Sequence, residues 1–189
     1  CGGCDSRHAD PDIVERRIAL HPPLQPGGCF CHLHLPLEAA IGAADIVGWF
    51  EAQLHEKVLL AFFIPGIVYL ADAVGTQTET VVVRGLSVGI SIRRVLGLEL
   101  LTGLGMGITL AAVATPIVFW RWHDADVAII VGLALLAACS VATLVAMTLP
   151  WLLDKFAVDP AFGSGPLATV IQDLASILIY FVIALPLVD

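Results

Sequence analysis

Four long apolar stretches constrain this chain more than any other feature of its sequence. They cover residues 58–78, 95–120, 127–153 and 166–188, and each carries few charges or none. A helix of about 20 apolar residues is long enough to cross the hydrocarbon core of a bilayer. Because 58% of all residues are apolar and only 14% are charged, the sequence predicts an all-α, polytopic membrane helical bundle with little mass outside the bilayer.

The region before the first clear span has a different character. Residues 37–56 are interrupted by Glu38, Asp45 and Glu51, so the sequence predicts four clear spans and a questionable first one. We divide the chain into an N-terminal tail over 1–36, rich in Cys, His and Pro and expected to be disordered or truncated, and a transmembrane domain over 37–189. The tail contains pairs that resemble zinc ligands: Cys1, Cys4, Cys29, Cys31, His32 and His34. The CxC spacing is poor for a tetrahedral zinc knuckle, so we predict no cofactor there.

The basic residues indicate how the spans are oriented. Arg84, Arg93 and Arg94 lie in the link between the first two clear spans, whereas the next link offers only Arg121. By the positive-inside rule the first link is cytoplasmic, and alternation then places the C-terminus outside. We therefore expect an integral, multi-pass protein of the plasma (inner) membrane.

Four acidic residues lie in or beside the spans, and they are the candidate functional groups: Asp72, Glu99, Asp159 and Asp173. A carboxylate in hydrocarbon costs several kcal/mol, about 3 on insertion scales, so it normally faces a water-filled path or a partner. Glu99 has an alternative partner in Arg94, and Asp159 has an alternative role as a helix cap. Asp173 has no basic residue within a turn or two, which makes it the strongest candidate for contact with a cation.

Small and helix-perturbing residues provide a second signal. Glycines recur in the second clear span at positions 97, 103, 105 and 107, where they favour close helix packing or expose backbone carbonyls to an ion. Pro65 and the run Gly75, Thr76 and Gln77 are expected to loosen the first clear span. Irregular backbone at membrane depth is tolerated only where it is buried or lines a cavity, so these residues point to a pore.

Several motifs together resemble the membrane domain of the MgtE magnesium channel and transporter family. They are Phe50-Glu51, Ala61 to Pro65, Gly75-Thr76-Gln77, Val83 to Leu86, Glu99, and the block from Asp159-Pro160-Ala161 through Ser164-Gly165-Pro166 and Thr169 to Asp173. The spacing within the last block looks like the family signature. The matches extend from Phe50 to the C-terminus.

The resemblance implies a homodimer of five-helix protomers with a cation pore at the dimer interface. In that arrangement Asp173 holds a largely hydrated Mg²⁺ ion, while Thr169 and Ser164 bind its outer waters. The family's site also uses a backbone carbonyl that corresponds to Val158. Asp159 corresponds to an acidic residue near the cytoplasmic mouth, and Glu99 to the family's acidic residue in its third helix.

Two departures from the family pattern affect these expectations. Asp72 stands near a position where the family typically has an amide, which is expected to alter ion preference. The cytoplasmic region with CBS modules, which senses magnesium in the bacterial family, does not appear in this sequence, so we expect no gating by that route.

The main hypothesis is therefore divalent-cation transport, with Mg²⁺ as the bound and transported ion and no cofactor. Mn²⁺, Co²⁺ and Zn²⁺ are alternatives, since oxygen-rich sites bind transition metals as well or better. A non-conducting membrane subunit derived from the same family is the alternative from another class. The net charge of -8 argues against nucleic acid, and no nucleophile elbow or phosphate loop suggests an enzyme.

Overall fold

The computed structural model describes residues 26–87, 92–156 and 160–188. These residues form helices joined by short turns, which confirms the all-α prediction. The helices are α1 (Pro26–Trp49), α2 (Glu51–Glu56), α3 (Leu59–Ser87), α4 (Ile92–Trp122), α5 (Ala125–Lys155) and α6 (Pro160–Val188).

Four of the described helices are long and apolar enough to cross a bilayer. Their spanning portions are Leu59–Leu86, Gly97–Trp122, Ala125–Leu153 and Ser164–Val188, in agreement with the four predicted spans. The questionable first span, 37–56, forms the second half of α1 and all of α2, and neither helix is among these four. The first residues of α1, 26–36, were assigned to the tail, and the cysteines considered as zinc ligands lie outside the described side chains. The chain divides into two compact units, Cys1–His34 and Leu35–Asp189, and the site discussed below lies within the second.

Helix α5 is the centre of the second unit, because it packs against α3, α4 and α6. Four buried alanines recur at every fourth position and so lie on one face: Ala134, Ala138, Ala142 and Ala146. Small side chains let membrane helices approach closely and gain van der Waals contact. The charge-free sequence of this span therefore encodes its central position.

Aromatic side chains join α6 to the beginning of α3. Tyr180 is fully buried, and its hydroxyl donates a hydrogen bond to the backbone carbonyl of Leu60 at 2.8 Å. The neighbouring Phe181 stacks on Phe50, with ring centroids 4.7 Å apart. The buried hydroxyl thus has an acceptor, as a polar group in an apolar core requires.

Lys57 connects the start of α3 to the start of α5. Its Nζ lies 2.9 Å from Oδ2 of Asp126 and 3.5 Å from Oδ2 of Asp124. Asp124 also caps α5, since its Oδ1 accepts a hydrogen bond from the backbone N–H of Val127 at 3.0 Å. The hydrogen bond to Asp126 raises the pKa of Lys57 above its usual value. The contact places the first turns of α3 and α5 at the same end of the bundle.

Candidate functional site

The candidate site lies along the contact between α3 and α6, which we call the α3–α6 seam. Three contacts define it: Leu60 with Tyr180, Gly75 with Gln172, and Glu79 with Gly165. Residue numbers rise along α3 while they fall along α6. The two helices therefore run antiparallel, and each position on α3 faces a definite level of α6.

Buried positions on α6 follow a spacing of four residues, as expected for one face of a helix. They are Ser164, Ala168, Gln172, Ser176 and Tyr180, all of which are 2% exposed or less. Asp173 follows Gln172 directly and is half-buried, so it lies at the edge of this face. The buried face is unusually polar for a membrane helix, and the carboxylate is next to it.

The seam brings Asp72 of α3 and Asp173 of α6 close enough for their charges to interact. Both side chains are half-buried, and neither forms an ion pair with any residue that the structure describes. Asp72 Oδ1 is buried and has no hydrogen-bond partner there. Asp72 is also near the middle of its span, about 20 Å from either end at 1.5 Å per residue. Two of the predicted site residues therefore lie near each other, close to the middle of the membrane spans.

Gly75 permits the close approach of α6 at this level. A Cβ at position 75 would lie 2.6 Å from Cδ and 2.9 Å from Nε2 of Gln172, which is too close for unbonded atoms. Gln172 is only 2% exposed, and its Oε1 has no hydrogen-bond partner among the described residues. The predicted motif residue Gly75 therefore makes room for an amide that sequence reasoning missed.

Glu79 is a second residue that sequence reasoning missed. It is 9% exposed, and a Cβ at Gly165 would lie 3.9 Å from its Oε1, so its carboxylate is against the start of the α6 span. The first apolar stretch, 58–78, ends directly before Glu79, so the sequence predicts that this charge lies at the boundary of the span. The available signal was its position seven residues after Asp72, which places both side chains on nearly the same face of a helix.

Glu99 lies at a different place from the aspartate pair. It is half-buried and lines a small cavity of about 160 Å³ between α3 and α4, together with Gln77, Thr78 and Thr102. Neither Asp72 nor Asp173 lines that cavity. The structure therefore does not bring this predicted ligand together with the aspartate pair. The suggested pairing of Glu99 with Arg94 lies outside the described side chains.

The remaining predicted residues are distributed along the seam and its surroundings. Thr169 is half-buried one turn before Asp173, and Ser164 is buried at the start of the α6 span. Pro65, Thr76 and Pro166 are exposed. Two further predicted groups, Val158 and Asp159, lie outside the described residues.

The expected loosening of the first clear span is not found. Helix α3 is a single helix from Leu59 to Ser87 and continues through Pro65 and the run 75–77. A membrane helix can continue through a proline, because neighbouring groups satisfy the backbone carbonyl that loses its N–H donor. Side-chain oxygens, rather than irregular backbone, are therefore what α3 offers to an ion.

The chemistry of the site is that of a few side-chain oxygens. Within residues 26–87, 92–156 and 160–188 no three Cys, His, Asp or Glu side chains are grouped closely enough to hold a metal ion. Mg²⁺ dehydrates reluctantly, and proteins usually bind it through one or two carboxylates while it keeps several waters. A pair of carboxylates with nearby amide and hydroxyl groups fits that mode of binding.

These features define a polytopic helical membrane protein in which two carboxylates along an intramembrane helix contact form no ion pair with a described residue. Comparison with known families makes the class specific. The MgtE family model, described as a divalent cation transporter, matches residues 64–183, which include most of α3, all of α4 and α5, and most of α6. The chain belongs to the MgtE family.

Three curated relatives, each named magnesium transporter MgtE, agree with this assignment. The Enterococcus faecalis protein is 36% identical over 149 residues, which cover 76% of this chain and 33% of that protein. The Bacillus subtilis protein is 35% identical over 147 residues, covering 75% and 32%. The Thermus thermophilus protein is 32% identical over 145 residues, also covering 75% and 32%. The chain thus matches about a third of the length of each relative.

Proposed function

We propose that this chain carries divalent cations, Mg²⁺ foremost, across the membrane through an acidic pore at a homodimer interface, with Asp173 holding the hydrated ion. The observation that carries the proposal is the pair of half-buried carboxylates, Asp72 and Asp173, without a basic partner among the described residues. Family membership and the magnesium transporters among its relatives support the same assignment.

Electrostatics explain why a cation belongs at this place. Each carboxylate at membrane depth costs several kcal/mol, and two that interact with each other repel as well. A divalent cation between them offsets both penalties at once. The membrane potential then supplies about 4.6 kcal/mol per 100 mV for moving a divalent ion across the bilayer.

The surrounding groups suit an ion that keeps its waters. The Thr169 hydroxyl, one turn from Asp173, is placed to hydrogen-bond to such waters, and Ser164 lies farther along the same helix. By the family resemblance, the backbone carbonyl of Val158 contributes to the ion site, Asp159 lies near the cytoplasmic mouth, and the C-terminus lies outside. Glu99, which lines a separate cavity beside α3, acts on ions away from the aspartate pair.

A second copy of the chain completes the pore in this proposal. Asp72 and Asp173 are half-buried rather than enclosed, so one protomer leaves them accessible to a symmetric partner. Carboxylates that face one another across a twofold axis repel until a cation binds between them. Bound metal therefore stabilises the dimer by mass action.

The test is Mg²⁺ uptake into proteoliposomes that contain the purified chain, with Mn²⁺ and Co²⁺ as competing ions. We expect Asp173→Asn to abolish uptake while membrane insertion remains intact. The matched control is Asp45→Asn, which makes the same chemical change at an exposed position of α1 and should leave uptake unchanged.

Each result has a clear reading. Undiminished uptake in Asp173→Asn would remove the pore assignment. An absence of uptake by well-folded wild type would favour the non-conducting alternative. Stronger transport of Mn²⁺ or Co²⁺ than of Mg²⁺ would replace the proposed ion.

A further inference from the structure

We propose that a groove between α3 and α4 binds one acyl chain of an anionic phospholipid, whose phosphate pairs with Arg121 at the end of the groove. This lipid site is independent of the proposed transport, because residues of α3 other than those of the seam form it. The groove has a volume of about 360 Å³, and we call it the α3–α4 groove. Its lining includes Phe63 and Gly66 of α3, Val113 and Ile117 of α4, and Val131 and Leu135 of α5.

The groove is apolar and opens to the outside of the bundle. It lies where α3 and α4 contact each other less than either contacts the central helix. Val131 and Leu135 are buried, whereas Val113 and Ile117 are more than half exposed, so the space is reachable from the side. An apolar cavity does not hold water but takes up apolar molecules. In a bilayer the apolar groups beside the helices are acyl chains.

The length of the groove corresponds to one leaflet of a bilayer. On α4 its lining residues extend from Leu110 to Trp122, which is about 18 Å along the helix axis. Half of the hydrocarbon core is about 15 Å thick. Trp122 is the last residue of α4 and of its membrane span, so the groove extends from the interface to about the middle of the membrane. One acyl chain of a phospholipid covers that depth.

Arg121 provides a charged group at the interfacial end of the groove. Its guanidinium carbon lies 5.4 Å from the centroid of the Trp122 ring, which lines the groove. Arg121 forms no ion pair with any described residue, and the carboxylates of Asp124 and Asp126 contact Lys57 instead. A guanidinium binds phosphate through paired hydrogen bonds. A lipid phosphate at this place would supply an anion for Arg121 while the attached chain fills the groove.

The test is the quenching of tryptophan fluorescence by a brominated phospholipid. The chain has four tryptophans, so replacing Trp49, Trp120 and Trp151 by Phe leaves Trp122 as the reporter. The matched control retains only Trp120, which is 76% exposed, does not line the groove, and lies two residues away at nearly the same depth. Each protein is placed in phosphatidylcholine vesicles with increasing mole fractions of phosphatidylglycerol whose acyl chains carry bromine at that depth.

We expect Trp122 to reach half of its maximal quenching at a mole fraction at least about fivefold lower than Trp120. One cationic side chain at the membrane surface favours an anionic lipid by about this factor. Arg121→Gln should therefore raise the mole fraction needed at Trp122 about fivefold, and Arg121→Lys should raise it less. A brominated diacylglycerol, which has the same chains without the phosphate, should quench Trp122 equally with and without Arg121.

Filling the groove tests the site of the acyl chain. Gly66 lines the groove and Gly105 does not, and a Cβ at either position would meet nothing within 4 Å. Leucine at either position gains the same helix propensity, so both variants are expected to fold. Gly66→Leu should raise the mole fraction needed to quench Trp122 to that of Trp120, and Gly105→Leu should leave it unchanged.

Three results would overturn the inference. Equal quenching of Trp122 and Trp120 would show that Trp122 contacts only bulk lipid. Quenching of Trp122 that Gly66→Leu leaves unchanged would show that the chain does not enter the groove. Protection of Trp122 from every brominated lipid would show that protein, such as a second copy, covers it. If Gly66→Leu does not fold, Arg121→Gln still decides the matter, because Arg121 is exposed.

Discussion

Replacing Gly103 by alanine should destabilise the bundle, although alanine is the better helix former. Gly103 lies on α4 at its contact with Thr143 of α5. A Cβ at position 103 would lie 2.7 Å from both Cβ and Cγ2 of Thr143 and would also overlap its hydroxyl oxygen. Thr143 cannot move aside easily, since it is fully buried, β-branched, and hydrogen-bonded through Oγ1 to the Cys139 carbonyl at 2.8 Å.

The expected magnitude follows from two opposing contributions. Alanine gains up to about 1 kcal/mol over glycine in a helix interior. Overpacking a well-packed contact costs about 1–3 kcal/mol, and here the overlap involves a Cβ atom, which moves only with the backbone. We therefore expect a net loss of about 1–2 kcal/mol in the free energy of unfolding.

Gly105 offers the matched control on the same helix. A Cβ there would meet nothing within 4 Å, so Gly105→Ala should be neutral or stabilise the protein by the helix-propensity gain alone. Thr143→Ala in the Gly103→Ala background should recover only part of the loss, because the overlap between the two Cβ atoms remains. Thermal and denaturant unfolding in detergent micelles would measure all four proteins. Equal stability of Gly103→Ala and Gly105→Ala would refute the reasoning, because the predicted clash with Thr143 would then have no effect.

Three further perturbations test other parts of the description. Tyr180→Phe should cost about 0.5–1.5 kcal/mol of unfolding free energy, because it leaves a buried Leu60 carbonyl without its side-chain donor; an unchanged melting temperature would argue against that bond. Lys57→Met should cost at most about 1 kcal/mol, since its partner Asp126 is largely exposed. Because folding raises the pKa of Lys57, its contribution is fully present below the ordinary value of 10.5 and is lost as pH rises through the folded pKa, so the wild type and Lys57→Met should converge in stability at high pH. Asp72→Asn should weaken the binding of Mn²⁺ at Asp173. The measurement is a Mn²⁺ titration of the purified chain in which free Mn²⁺ is detected by electron paramagnetic resonance, and equal affinity would show that Asp72 contributes nothing there.

The spans were predictable because hydropathy is local information. A stretch such as 127–153 is recognisable without knowledge of its neighbours, and the structure confirms it as the membrane portion of α5. The glycines of α4 show the limit of this reasoning. Gly103 and Gly107 contact α5 closely, whereas Gly97 and Gly105 meet nothing within 4 Å, and only the rotation of α4 against its neighbour distinguishes them.

The candidate site was predictable only in part, for the same physical reason. Asp72 and Asp173 were each identified from the cost of a carboxylate in hydrocarbon, but their proximity depends on the register of α3 against α6. Glu79 was taken as the end of a span, because a charge that ends an apolar run is normally at the interface. In the structure α3 continues past Glu79 to Ser87, and the Glu79 side chain is buried. Gln172 is polar but uncharged, so only its burial and its unpartnered oxygen make it notable.

The alanine face of α5 has a consequence for the electrical behaviour of the helix bundle. Among the described residues, this face carries methyl groups rather than a chain of polar atoms, and the buried Thr143 hydroxyl on this helix already donates to its own backbone. The centre of the described helices therefore acts as an insulator, while polar side chains lie along the α3–α6 seam and around the cavity that Glu99 lines. Helices divided this way should hold off the membrane voltage across their middle and concentrate the field beside these polar side chains, where a charge would sense it most strongly.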